Sequence, residues 1–102
     1  MKSENIIVDK SKAFALRIIK LYKYLISENK EYILSKQILR SGTSIGANVK
    51  EASETEYWLE LLGESGYIEK VHFDSIYSDC QELLKIIMPI TKTQKVIHSF
   101  AK

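Results

Sequence analysis

Apolar residues return along this chain at intervals of three and four, and the pattern resolves into four helical stretches. From about Asp9 to Glu28, Phe14, Ala15, Ile18, Leu21, Tyr22, Leu25 and Ile26 gather on one face at 100° per residue, with Ile19 at its margin. Asp9 is placed to cap this first helix. The opposite face carries Lys12, Lys20 and Lys23, with Lys10 and Arg17 on one flank. Ser27-Glu28-Asn29-Lys30 breaks the pattern and predicts a turn. A second helix, 31–49, uses Leu34, Ile38, Ser41, Ile45 and Val49 as its inward stripe and keeps Lys36 and Arg40 outside. The short connection makes it antiparallel to the first.

A third stretch, 51–62, is acidic outside and apolar inside, with Trp58 as its largest anchor. Gly63 and Gly66 bracket a turn. The fourth, 69–91, repeats Phe73, Ile76, Cys80, Leu83, Ile87 and Ile90 at alternating spacings of three and four, the pattern of a bundle seam. Pro89 withdraws an amide from that helix and predicts a kink or an early end. The expected architecture is an all-α, antiparallel up-down four-helix bundle forming one domain over residues 1–102.

Two places disturb this scheme. Leu39–Asn48 is built of weak helix formers, Gly42 and Gly46 each costing about 1 kcal/mol against alanine in a helix interior. With Ala47 beside them, these small residues suit a close helix approach, so packing is expected to supply what propensity does not. Beyond Asn48 the apolar phase changes: Trp58, Leu61 and Leu62 lie about 180 to 280° from Leu34 if one helix continues straight on. The connection between the second and third helices is therefore expected to be missing residues, shortened or bent near Val49-Lys50.

Composition narrows the class. The single cysteine, Cys80, excludes an internal disulfide, and Ile6-Ile7-Val8 is too short an apolar run for a secretory leader. No stretch approaches the roughly 20 apolar residues of a membrane span, so a cytoplasmic protein without a membrane role is expected. Net charge is only +2, but residues 1–50 hold ten Lys/Arg against four acids, and residues 51–102 hold five against nine. Such halves attract each other across neighbouring chains or leave a basic face for a polyanion. Two solvated helix faces of opposite sign are the plainer alternative.

The run Gln37–Asn48, QILRSGTSIGAN, and Lys50–Leu62, KEASETEYWLELL, closely resemble the four-helix-bundle family of 23S rRNA intervening-sequence proteins, which are bacterial. Phe14-Ala15, Ile18, Leu21-Tyr22-Lys23, Cys80 and Glu82-Leu83 fit the same pattern. The accessory proteins of diversity-generating retroelements are similar at greater distance. In that family the motif containing Asn48 is followed by a longer stretch than this chain has before Lys50, about twenty residues by helix geometry. The resemblance implies a non-enzymatic protein assembling into a ring, a homopentamer, with a basic surface for RNA or DNA.

On residue chemistry the nucleic-acid candidates are Lys10, Arg17, Lys20, Lys23, Lys36 and Arg40, since exposed Lys and Arg meet phosphates with little sequence choice. Leu16 and Tyr24 point into the basic side of the first helix and suit a subunit contact. Gly42, Gly46 and Ala47 read as packing residues. A scaffold docking an acidic protein partner is the alternative function. No catalytic residue, cofactor or metal site is expected: Glu69-x-x-His72 has the di-iron spacing but no second pair to complete it. Cys80 reads as a buried small apolar, and Glu54, Glu56, Glu60 and Glu64 as a solvated face.

Overall fold

The computed structural model describes residues 2–88, with side chains from 6 onward. Four helices follow one another: α1 Lys2–Glu28, α2 Leu34–Thr43, α3 Val49–Glu64 and α4 Lys70–Ile87. Contacts run α1 to α2, α2 to α3, α3 to α4 and α4 back to α1, which closes an all-α bundle. Side-chain partners set the directions: Lys10 and Arg17 of α1 meet Glu82 and Asp79 of α4, so these two run antiparallel.

α1 starts well before the predicted boundary. Asp9 lies inside it and caps nothing, because Ile7 continues the stripe of Phe14, Ile18 and Leu25 a heptad earlier and comes close to Gly46. The helix ends in a left-handed residue, Lys30 at φ 55°, with the Glu31 amide donating to the Leu25 carbonyl at 3.0 Å. That bond spans seven residues, one more than the 6→1 bond of a Schellman turn, and it encloses a left-handed position that glycine ordinarily fills.

α2 is shorter than the predicted 31–49. Glu31 stands outside it and accepts from the amides of Ile33, Leu34 and Ser35 at 3.2, 2.9 and 2.7 Å. At its other end Thr43 and Ser44 return their hydroxyls to the carbonyls of Leu39 and Arg40, local bonds that compete with helix continuation. Ser44–Ala47 then turns, and Asn48 caps α3 by accepting from the Glu51 amide at 3.0 Å. The weak formers thus divide between a helix end, a turn and a cap. The phase change is the change from one antiparallel helix to the next, and five residues close it without further chain. Ile38 and Ile45 are fully buried, so the α2 stripe is covered.

The glycines work through side chains rather than by backbone approach. A methyl group on Gly42 would sit 2.7 Å from Ile18 Cγ1, and one on Gly46 would collide with Ser11 Oγ. Gly63 belongs to α3, against the ring of Phe73, whereas Gly66 with φ 85° makes the turn. Ala47 is exposed. The core is Phe14, Ile18, Leu25, Ile38, Ile45, Leu59, Leu62, Ile76, Cys80 and Leu83 with their neighbours, Ser41 and Thr55 sharing a buried hydrogen bond of 3.0 Å within it. Trp58 packs on the margin of this core and Leu59 takes the central place. Pro89 and Ile90, like the expected extension of the last helix to 91, lie outside the described residues.

Candidate nucleic-acid interface

The six predicted cations do not form one patch. Lys10 pairs with Glu82 at 3.1 Å. Arg17 donates to Asp79 at 2.6 Å and to Ser75 at 3.1 Å. Arg40 joins Glu54 at 3.1 Å and Glu51 at 3.6 Å, tying α2 to α3. The opposite charges of the two halves of the sequence therefore meet inside one chain, along the α1/α4 and α2/α3 seams. Lys36 is exposed on α2, one turn before Arg40.

Lys20 and Lys23, like Lys36, differ from the three paired cations. Both are exposed on the outer face of α1, with Lys12 two turns below, and no acid partners them among the described residues. Helical periodicity explains the grouping: Lys12, Leu16, Lys20 and Lys23 fall within about 80° on the face turned away from Phe14 and Ile18. Asp9 is the acid on the same face. Leu16 is 55% exposed between the lysines, and Tyr24 is 47% exposed near the end of the helix.

Tyr24 also faces a cleft of about 620 Å³ between α1 and the beginning of α4. Leu21, Ile68 and Ile76 make its apolar floor; Arg17, Lys20, Glu69 and His72 stand with Tyr24 around it. In the sequence Arg17 and Lys20 are phosphate candidates, Tyr24 is a candidate subunit contact and His72 belongs with Glu69 to a pair that completes no metal site; nothing in their spacing joins the four. Part of that grouping was legible, because residues 17, 20, 21 and 24 share one helical stripe. His72 arrives from α4, which only the bundle topology brings alongside.

His72 Nε2 lies 3.8 Å from Glu69, both side chains largely in solvent, and no group of three metal-ligating side chains occurs among the described residues. On the α3/α4 seam, Tyr77 donates to Glu60 and Gln81 to Glu56. Cys80 is buried beneath them, its thiol donating to the Ala52 carbonyl at 3.7 Å. Burial, then the charges of Glu56 and Glu60, push this thiol up to about 12, so it holds almost no thiolate at neutral pH. Burial and the bond to Glu60 also raise the Tyr77 phenol. No helix among the described residues is long and apolar enough to cross a membrane.

Residues 3–54 match the family described as 23S rRNA-intervening sequence protein. A solved structure from Bacteroides thetaiotaomicron VPI-5482, a protein with unknown function from the S23 ribosomal protein family, is similar at 46% identity. The similarity covers 90% of this chain and 99% of that one, with a TM-score of 0.83. No curated protein matches the chain.

Proposed function

The chain belongs to the 23S rRNA-intervening sequence protein family, and from that premise we propose that it is a non-enzymatic, oligomeric adapter that binds RNA or DNA through the outer face of α1. The observation that carries this reading is the set of lysines without an acid partner among the described residues, Lys12, Lys20 and Lys23, on a face where Asp9 is the acid, while Glu82 and Asp79 of α4 pair with Lys10 and Arg17. Ammonium groups on an exposed helix contact phosphates, release counterions and select little among sequences. Three such contacts make a weak site. Assembly into a homo-oligomer, with five copies as the favoured number, multiplies it by avidity.

The test is fluorescence anisotropy with labelled single-stranded RNA and duplex DNA at about 50 mM salt, where phosphate contacts are strong. Retention of either polymer is expected, with a logarithmic salt slope of about −3 for each engaged protomer on duplex. Lys20→Glu combined with Lys23→Glu should abolish retention while leaving the thermal melt in place. Absence of retention by the unmodified chain overturns the reading.

Leu16 favours a second reading, a scaffold that docks an acidic protein, because an apolar residue ringed by cations suits a protein surface better than a phosphate backbone. Leu16 and Tyr24 equally suit a contact between copies. Leu16→Glu separates the cases: it lowers the mass in sedimentation equilibrium if Leu16 joins copies. If Leu16 meets another protein, the mass is unchanged.

A further inference from the structure

We propose that the cleft between α1 and the start of α4 binds one nucleoside monophosphate unit, either free or as an unpaired nucleotide within a strand. The phosphate lies at Arg17 and Lys20 and the base lies against Tyr24. The proposal rests on the reading of α1 as a nucleic-acid face and gives that face a preference for unpaired bases.

The cleft has the size and make-up such a ligand needs. Its volume of about 620 Å³ falls within the roughly 300 to 1,000 Å³ of small-ligand sites, which combine an apolar lining with a few placed polar groups. Arg17 is held by Asp79 and Ser75, which occupy two of its five N–H donors. The guanidinium is therefore already oriented, with donors remaining for a phosphate. Lys20, one turn on, has no partner among the described residues and supplies a mobile second charge. Tyr24 offers a ring near the buried Ile68 and Ile76, giving a flat apolar group somewhere to lie.

The same features restrict the ligand. A bare anion would leave the apolar floor unused. Bases stacked in a duplex cannot reach the ring, whereas an unpaired base can, and stacking tolerates any base identity. Glu69 at the rim and Asp79 behind Arg17 oppose further negative charge, so one phosphate is accommodated better than two or three.

The test has two arms on the intact chain. In the first, adenosine and uridine 5′-monophosphates are titrated while backbone amide resonances are followed, with inorganic phosphate as the control. Saturable shifts at Leu21, Tyr24 and His72 are expected with the nucleotides and not with phosphate. In the second, single-stranded RNA and duplex DNA are compared by anisotropy. Tyr24→Ala should weaken mononucleotide and single-strand binding about tenfold without changing duplex binding, and Tyr24→Phe, which keeps the ring, should retain both. Polymer binding without a mononucleotide response, or an equal loss on duplex in Tyr24→Ala, overturns the cleft and leaves the outer face of α1 standing. Mononucleotide binding without polymer binding supports the cleft and removes the adapter reading. Shifts reproduced by phosphate alone, or by raising protein concentration alone, overturn the proposal in favour of a simple anion or a second copy.

Discussion

At Gly42 a single methyl group sets two effects against each other. Alanine gains about 1 kcal/mol in helix propensity, but its Cβ would stand 2.7 and 2.9 Å from Ile18 Cγ1 and Cγ2, atoms of a fully buried side chain. Overpacking of that kind costs about 1 to 3 kcal/mol. Gly42→Ala is therefore expected to lower stability by about 1 kcal/mol, seen as a lower urea midpoint at unchanged slope. Cys80 and Tyr77 make a prediction in pH. Both hold their protons more tightly folded than unfolded, so their contribution is fully present below the ordinary values of 9.0 and 10.0 and is lost as pH rises beyond them. The urea midpoint should hold from neutral pH to about 9 and fall above it. Cys80→Ala with Tyr77→Phe, although less stable at neutral pH, should show a shallower alkaline decline. Neither residue advertises this in the sequence. Cys80 was legible as a seam residue, but the acids that surround it come from α3.

At the scale of elements, the helix ends are the points where prediction and structure part. Asn48 acts as a cap, which its residue type allows, yet it sits in a run that also reads as continuous helix. Glu31 carries more: one carboxylate satisfies three amides at the start of α2. Glu31→Ala is expected to cost about 1 to 2 kcal/mol, and Asn48→Ala about 1; thermal melts at one pH compare them directly. Lys30 offers the opposite sign. It occupies the left-handed position of the turn after α1, and Lys30→Gly should raise stability by about 0.5 to 1 kcal/mol, because relief of the strained φ exceeds the entropy glycine adds to the unfolded chain. Interior periodicity was the most dependable guide to the elements, since it repeats over several turns. The ends depend on single hydrogen bonds that leave no repeating trace.

For the whole molecule, the uneven charge of the two halves takes on a different meaning once the bundle closes. Cations of α1 and α2 face acids of α4 and α3, and Arg17–Asp79, Lys10–Glu82 and Arg40–Glu54 span the seams. Each pair is partly exposed and contributes at most about 1 kcal/mol. The consequence for binding is larger than for stability. Asp79→Asn should change stability by less than about 1 kcal/mol while raising single-strand RNA affinity severalfold, because Arg17 then faces solvent without its counter-charge. Anisotropy and a thermal melt on one preparation decide it; weaker RNA binding would show that Asp79 serves mainly to orient Arg17.

The four helices, the apolar stripes of α1 and α4 and the family signature of residues 37–48 were determined by the sequence alone, because each rests on spacing within a segment. Tertiary structure decided what spacing cannot express: that the glycine-rich run is half turn, that three of six candidate cations are ion-paired, and that Tyr24 and His72 share a cleft with Arg17 and Lys20. These depend on which helix lies beside which. A charge or a ring acquires its role from a neighbour many residues away, and only the closed bundle supplies that neighbour.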